Sequence, residues 1–300
     1  MKRFTRCALA LLGAASLVAT TGAQAQNYPN KVVRYIITDA AGAGTDVLGR
    51  IIAEGLSNLY GQQVIVDNKP GAGGNLGADV AAHAPADGYT MLQIATTHAV
   101  NATLYKTLGY DLVRDFIPIA QIASGPSIMV VPSSSPAKTV SEFIKYAKSK
   151  PGELTYASAG SGTCSFLAGE LFRRQMGLEM THIAYKGGPP AVTAVMSGEV
   201  SAYFAPLSAV MQQIGQGRLR SLGVTTPQRL SFLPEQPTVA ENGAPGYQFS
   251  CWYGLMVPAK TPPAVVETIH ASLLKVLATP AVQKKLTDLG YIAVGDKPDA

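Results

Sequence analysis

Charge and aromatic side chains are scarce in this chain: 14% of its residues are charged and 7% are aromatic. No cluster of Lys and Arg interleaved with aromatics occurs, which argues against nucleic acid as a partner. Histidine is rarer still. His83, His98, His182 and His270 are scattered without the spacing that metal ligation needs, so no metal site is expected. There are only 3 cysteines, too few for a disulfide framework. Repeats, low-complexity stretches and long polar linkers are missing, and beyond the N-terminal segment no apolar run approaches the ~20 residues of a spanning helix.

What is present begins with an address. Lys2, Arg3 and Arg6 precede an apolar stretch from Ala8 to about Ala19, and Ala23-Gln24-Ala25 supplies the small residues that a signal peptidase requires. A signal peptide over 1–25 is expected, with cleavage after Ala25 and export of the remainder; Cys7 falls in the discarded part. Removal takes the basic count from 24 to 21 against 19 acidic residues, so the mature chain is close to neutral at about +2. Cys164 and Cys251 stay. An oxidising compartment permits one disulfide between them, but sequence alone does not bring their Cα atoms within reach.

The mature length exceeds what one core usually supports, and apolar strand-like runs alternate with amphipathic helix-like runs. The first series is Val32 to Thr38, Asp46 to Tyr60, Val64 to Asp67, Asn75 to Ala84 and Thr90 to Ala95. A second runs from Ile128 to Thr225. Alternation of this kind predicts an α/β fold of two domains with mainly parallel sheets and a ligand cleft between them. Phe249 to Pro258 reads as a strand before two proline-started helices, Pro263 to Ala278 and Pro280 to Leu289. This tail is expected to return to the first domain, giving domain I from 26–124 and 248–300, and domain II from 125–247.

Two glycine-rich stretches follow strands and open helices: Ala40-Ala41-Gly42-Ala43-Gly44-Thr45-Asp46 and Ser158-Ala159-Gly160-Ser161-Gly162-Thr163. Such loops aim unpaired N–H groups and the positive end of a helix dipole at whatever lies above them. Neither contains the lysine of a phosphate loop, which suits a small carboxylate held reversibly. The expected ligand contacts are Asp39, Ala41, Gly42, Ala43, Gly44, Thr45 and Asp46 from the first region, and Ser158, Gly160, Ser161, Gly162, Thr163 and Cys164 from the second. Thr97, His98, Tyr185, Phe204 and Ala205 follow other strands and complete the candidate lining. Asp39 either points to solvent or faces the cleft, where it would select an acid that also carries a cationic or donating group. Trp252 reads as a packing residue at the hinge.

Along essentially the whole mature chain the residues resemble the Bug family, the substrate-binding proteins of tripartite tricarboxylate transporters. The resemblance is carried by Gly44-Thr45-Asp46, Asn68-Lys69-Pro70-Gly71-Ala72-Gly73-Gly74-Asn75, Asp87-Gly88-Tyr89-Thr90, Tyr185-Lys186-Gly187-Gly188 and Trp252-Tyr253-Gly254-Leu255. It implies a periplasmic-binding-protein-like fold, a periplasmic receptor without cofactor or enzymatic activity, a small organic acid or amino-acid-like ligand, and a membrane permease as partner; a monomer is expected. It also implies a final helix beyond Ala300. Thr38, Asp39, Ala43, Phe166 and Ala205-Pro206 depart from the family pattern. Two other classes stay open. Gly162-Thr163-Cys164-Ser165-Phe166 resembles a nucleophile elbow, so an exported thiol hydrolase using Cys164 is one alternative. A sensory or scaffold protein that keeps the fold is the other.

Overall fold

The structure, a computed structural model, describes residues 28–296; the expected signal segment, its cleavage after Ala25 and Cys7 lie outside the described residues. The first lobe opens with β1 (Val33–Ile37), α1 (Gly44–Tyr60), β2 (Val64–Asn68), a 3-10 turn (Ala72–Gly74), α2 (Asn75–Ala82), β3 (Thr90–Ala95) and α3 (Thr96–Leu104). In α1 the apolar residues Leu48, Ile51, Ile52 and Leu56 recur at helical spacing and are buried. Every residue of β3 is buried, as a strand covered on both faces requires. β1 pairs in parallel with β2 on one side and β3 on the other, so the strand order reverses at its carboxyl end. A crevice forms at such a reversal.

The second lobe repeats the plan with α4 (Val140–Ser149), β5 (Thr155–Ser158), α5 (Cys164–Gln175), β6 (Thr181–Ala184), α6 (Gly188–Ser197), β7 (Ala202–Pro206), α7 (Leu207–Gly215) and β8 (Leu219–Val224). Between the lobes runs β4 (Phe116–Pro132), 17 residues long. From Phe116 to Pro126 it pairs with β9 (Ser250–Pro258), and from Ser127 onward it pairs with β7 and β8. The tail adds α8 (Pro263–Leu277), α9 (Pro280–Asp288) and β10 (Ile292–Ala293) to the first lobe. The hydrophobic cores respect this division: Leu48, Ile52, Leu255 and Leu273 share one cluster, Phe143, Phe172, Phe204 and Tyr247 another.

Several expectations need correcting. The sheets are mixed, because the strands that join the lobes, β4 and β9, pair antiparallel with each other and with β3, β7 and β8. β4 was visible in sequence only at Ile128 to Val131. Pro118, Gly125 and Pro126 interrupt its pattern, and the pairing absorbs part of that interruption by shifting register near Pro118. Thr97 and His98 belong to a helix, α3, that begins directly after β3 with no Gly or Pro to announce it.

Gly223 of β8 tests the packing of the second lobe. A β-carbon there would lie 2.7 Å from Val239 N and 2.9 Å from the Thr238 carbonyl carbon, both backbone atoms with little freedom to retreat. Gly223→Ala is expected to lower stability by about 1–3 kcal/mol in urea unfolding, the usual cost of overpacking.

Candidate functional site

The first glycine loop is shaped from below. Buried Gln93 accepts a hydrogen bond from the Tyr35 hydroxyl at 2.8 Å and donates to the Thr45 carbonyl at 2.8 Å, tying the start of α1 to the core. Asp46, in the first turn of α1, accepts from Gly42 N at 2.8 Å, from Arg50 at 2.9 Å and from Asn68 Nδ2 at 2.9 Å. Burial pushes its carboxyl pKa up, but these three donors outweigh burial and hold it below the usual range. Asn68 Nδ2 also reaches the Asp39 carbonyl at 3.0 Å. Gly42, at φ +84°, lies in the left-handed region where a side chain would be strained. Its N–H is spent on Asp46 and that of Ala43 on the Ala40 carbonyl, and the amides of Gly44, Thr45 and Asp46 belong to the first helical turn, where N–H groups have no intrahelical acceptor.

The second loop uses the same device with hydroxyls. Ala159 N donates to Ser165 Oγ at 3.0 Å and Gly160 N to Ser158 Oγ at 3.1 Å, while the Thr163 hydroxyl donates to the Gly160 carbonyl at 2.6 Å. Gly160 adopts φ +132°, another conformation that excludes side chains. Ser161 is exposed and Gly162 to Cys164 are half-buried, while Ser165 in the first turn of α5 is buried. Ser158 Oγ also lies 2.6 Å from His182 Nε2, but Ser158 is fully buried and His182 is wedged between Tyr156 and Phe166. That pair organises the loop and is not a nucleophile with its base.

Tyr253 and Tyr291 pack against each other between the first loop and the start of α5. Their rings meet edge to face at 5.4 Å, and burial raises the pKa of both hydroxyls. Tyr291 Oη packs against the first loop: a β-carbon on Gly44 would lie 2.9 Å from it. Both tyrosines also line a cavity of about 50 Å3 together with Gly125, Cys164, Leu207 and Cys251, at the floor of the gap between the lobes. On the outer side, Leu104 at the end of α3 approaches Gly162 closely enough that a β-carbon there would touch it at 3.6 Å. Thus the loops share one cleft. Among the described residues, no group of three or more His, Cys, Asp or Glu side chains could hold a metal ion.

Several sequence candidates have other partners than the expected ones. Cys164 is bonded to Cys251, with Cα atoms 6.0 Å apart, and therefore has no free thiolate. This removes the nucleophile of the thiol-hydrolase alternative. His98 is 1% exposed, its Nδ1 lies 3.1 Å from Ala95 N at the start of α3, and burial lowers its pKa, so it is a neutral structural residue. Thr97 is half-buried beside it. Phe204 and Ala205 are core residues of β7, because they sit before the strand end; Pro206 and Leu207 are the ones that line the cavity. Tyr185 turns its hydroxyl to Glu199 at 2.7 Å. Trp252 packs among Ile94, Tyr110 and Phe116, apart from the loops. Tyr291 went unrecognised; its only sequence signal is its place after the Leu289-Gly290 helix stop.

Residues 48–297 match the family described as the tripartite tricarboxylate transporter family receptor. The BugT protein of Bordetella pertussis is 31% identical over 297 residues, covering 97% of this chain and 90% of its own length. Among solved structures, Rpa4515 of R. palustris with adipate superposes with a TM-score of 0.80 at 35% identity, covering 91% of each chain. MatC (Rpa3494) from Rhodopseudomonas palustris with bound malate gives a TM-score of 0.75 at 30% identity, over 91% of this chain and 92% of its own.

The disulfide ties the start of α5 to β9 across a sequence separation of 87. Replacing both cysteines by serine is expected to cost about 2–4 kcal/mol in urea unfolding. A reductant should destabilise the native chain and leave the double variant unmoved.

Proposed function

The chain belongs to the tripartite tricarboxylate transporter receptor family, and from that premise we propose that it captures a small organic acid between its two loops and hands it to the membrane permease of such a transporter. Its role is that of a periplasmic solute-binding receptor. The observation that carries the ligand assignment is the Tyr253–Tyr291 pair, which touches the first loop and shares a cavity with the end of the second. Two helix N-termini directed into one cleft suit an anion, and the absence of lysine from both loops suits a carboxylate that must be released again. Adipate and malate, held by two of the relatives, are acids of this class.

In this reading the contacts are made by Gly44, Thr45 and Asp46 amides on one side and by Ser161, Gly162 and Cys164 on the other. Ala41, Ala43 and Thr163 shape the approach. The lobes are 26–124 with 248–300 and 125–247, and they rotate about Gly125–Ser127 and Phe249–Cys251. A single chain supplies both halves of the site. It binds without turnover, and its leader is removed after Ala25 in the periplasm.

A micromolar affinity requires about −8 kcal/mol, whereas one helix terminus supplies at most ~2 kcal/mol, so both loops and closure of the cleft must contribute. Ser161 is exposed and free of the backbone constraint at Gly160, so Ser161→Asp adds a like charge without strain. It is expected to weaken the tightest acid found in a thermal-shift panel by about tenfold or more in isothermal titration. An unchanged affinity would remove the second loop from the site. Saturating acid should also shrink the radius of gyration in small-angle scattering, because opposed loops reach one small ligand only when the lobes approach.

A further inference from the structure

The Cys164–Cys251 disulfide joins the two lobes at the floor of the cleft, and among the described residues it is the one covalent link between them besides the main chain. Both ends are firmly seated. Cys251 pairs in register with Gly125 in the sheet of the first lobe, and the next residue, Trp252, donates its N–H to Thr96 Oγ1 at the start of α3 at 3.0 Å. Cys164 opens α5 between two residues that shape the second loop: the Thr163 hydroxyl donates to the Gly160 carbonyl at 2.6 Å, and Ser165 Oγ accepts from Ala159 N at 3.0 Å. Where Cys164 goes, the loop follows. The lobes also approach each other at Leu104 and Gly162 and at Gly290 and Leu207, but these contacts separate without breaking a bond.

Bridged cysteines keep their Cα atoms within about 6.8 Å, and this pair stands at 6.0 Å, so the start of α5 can withdraw from β9 by less than about 1 Å. Two residues along β9 is Tyr253, whose partner Tyr291 packs against Gly44 of the first loop. The bond lies beside the strand crossing, so rotation of the lobes stays possible while separation of the second loop from β9 does not. Resting on the receptor reading above, we propose that this disulfide is a redox control on ligand affinity: oxidised, it keeps both loops in register for one small acid, and reduced, it lets α5 draw away from β9 and release the acid. The reductant is a dithiol. Its thiolate attacks Cys164 Sγ, the half-buried sulfur, and expels the buried Cys251; its second sulfur then displaces Cys164, so the dithiol leaves as a disulfide and its two protons end on the cysteine thiols. A loop that occupies the binding position for about a tenth of the time lowers the apparent affinity about tenfold.

Isothermal titration with a panel of mono-, di- and tricarboxylates that includes adipate and malate tests this, on the oxidised chain, after reduction by dithiothreitol, and after reoxidation. Reduction is expected to weaken the tightest acid about tenfold and reoxidation to restore it. The double variant Cys164→Ser, Cys251→Ser should bind like the reduced chain, with thermal melts verifying that each form is folded at the titration temperature. By linkage, saturating acid should make the disulfide about tenfold harder to reduce, which lowers its midpoint potential by about 30 mV. A bond that merely stabilises the fold would change the melting temperature and leave both readouts unmoved. Affinity within about twofold across the folded forms, a potential that acid does not shift, or a chain that unfolds on reduction would overturn the inference and leave the receptor reading intact. An oxidised chain that binds no member of the panel would overturn both.

Discussion

Everything in this protein depends on the antiparallel pairing of β4 with β9. The two strands run side by side from Phe116–Pro258 to Pro126–Ser250, and then each passes into the second lobe. They are at once the inner strands of the first sheet and the connection to the second. Backbone hydrogen bonds along one lobe therefore fix where the other begins. At the crossing, the Thr225 hydroxyl and backbone bind Ser127 and Phe249, so both connections are gathered at one point. Gly125 leaves room there for the rings of Tyr253 and Tyr291, and Pro126 offers no N–H to extend the ladder.

Around that axis the two glycine loops are prepared in the same way by different chemistry. Each spends polar groups on itself so that the loop keeps its shape. In the first, one buried carboxylate, Asp46, collects three donors. In the second, the hydroxyls of Ser158, Thr163 and Ser165 do the equivalent work without charge. The Asp46 carboxylate is tolerable because Arg50 pairs with its charge and two further donors satisfy its oxygens, which together outweigh the cost of its burial.

Much of the architecture was legible in local pattern. Strands such as Thr90–Ala95 and helices such as α1 and α8 stand close to where apolar periodicity, glycine stops and proline starts put them. The glycine loops were visible because a strand, a cluster of glycines and a helix in that order leave few other conformations. Less legible were elements whose reason lies outside their own segment. β4 is continuous only because β9 and β7 hold it across its prolines and Gly125, and α3 starts without any stop signal after β3.

The sequence by itself determined the two-lobed α/β plan, the paired glycine loops, the shortage of charge, and the likeness to a receptor family. These are properties of composition and near-neighbour spacing, which a chain carries before it folds. Tertiary structure alone decided which residues meet. It brought Cys164 to Cys251 and Tyr291 to Gly44, withdrew His98, Phe204 and Ala205 into the interior, and turned the Tyr185 hydroxyl to Glu199. Such contacts join positions well apart in sequence, and burial depends on what the rest of a lobe packs over a segment, so no local pattern encodes them.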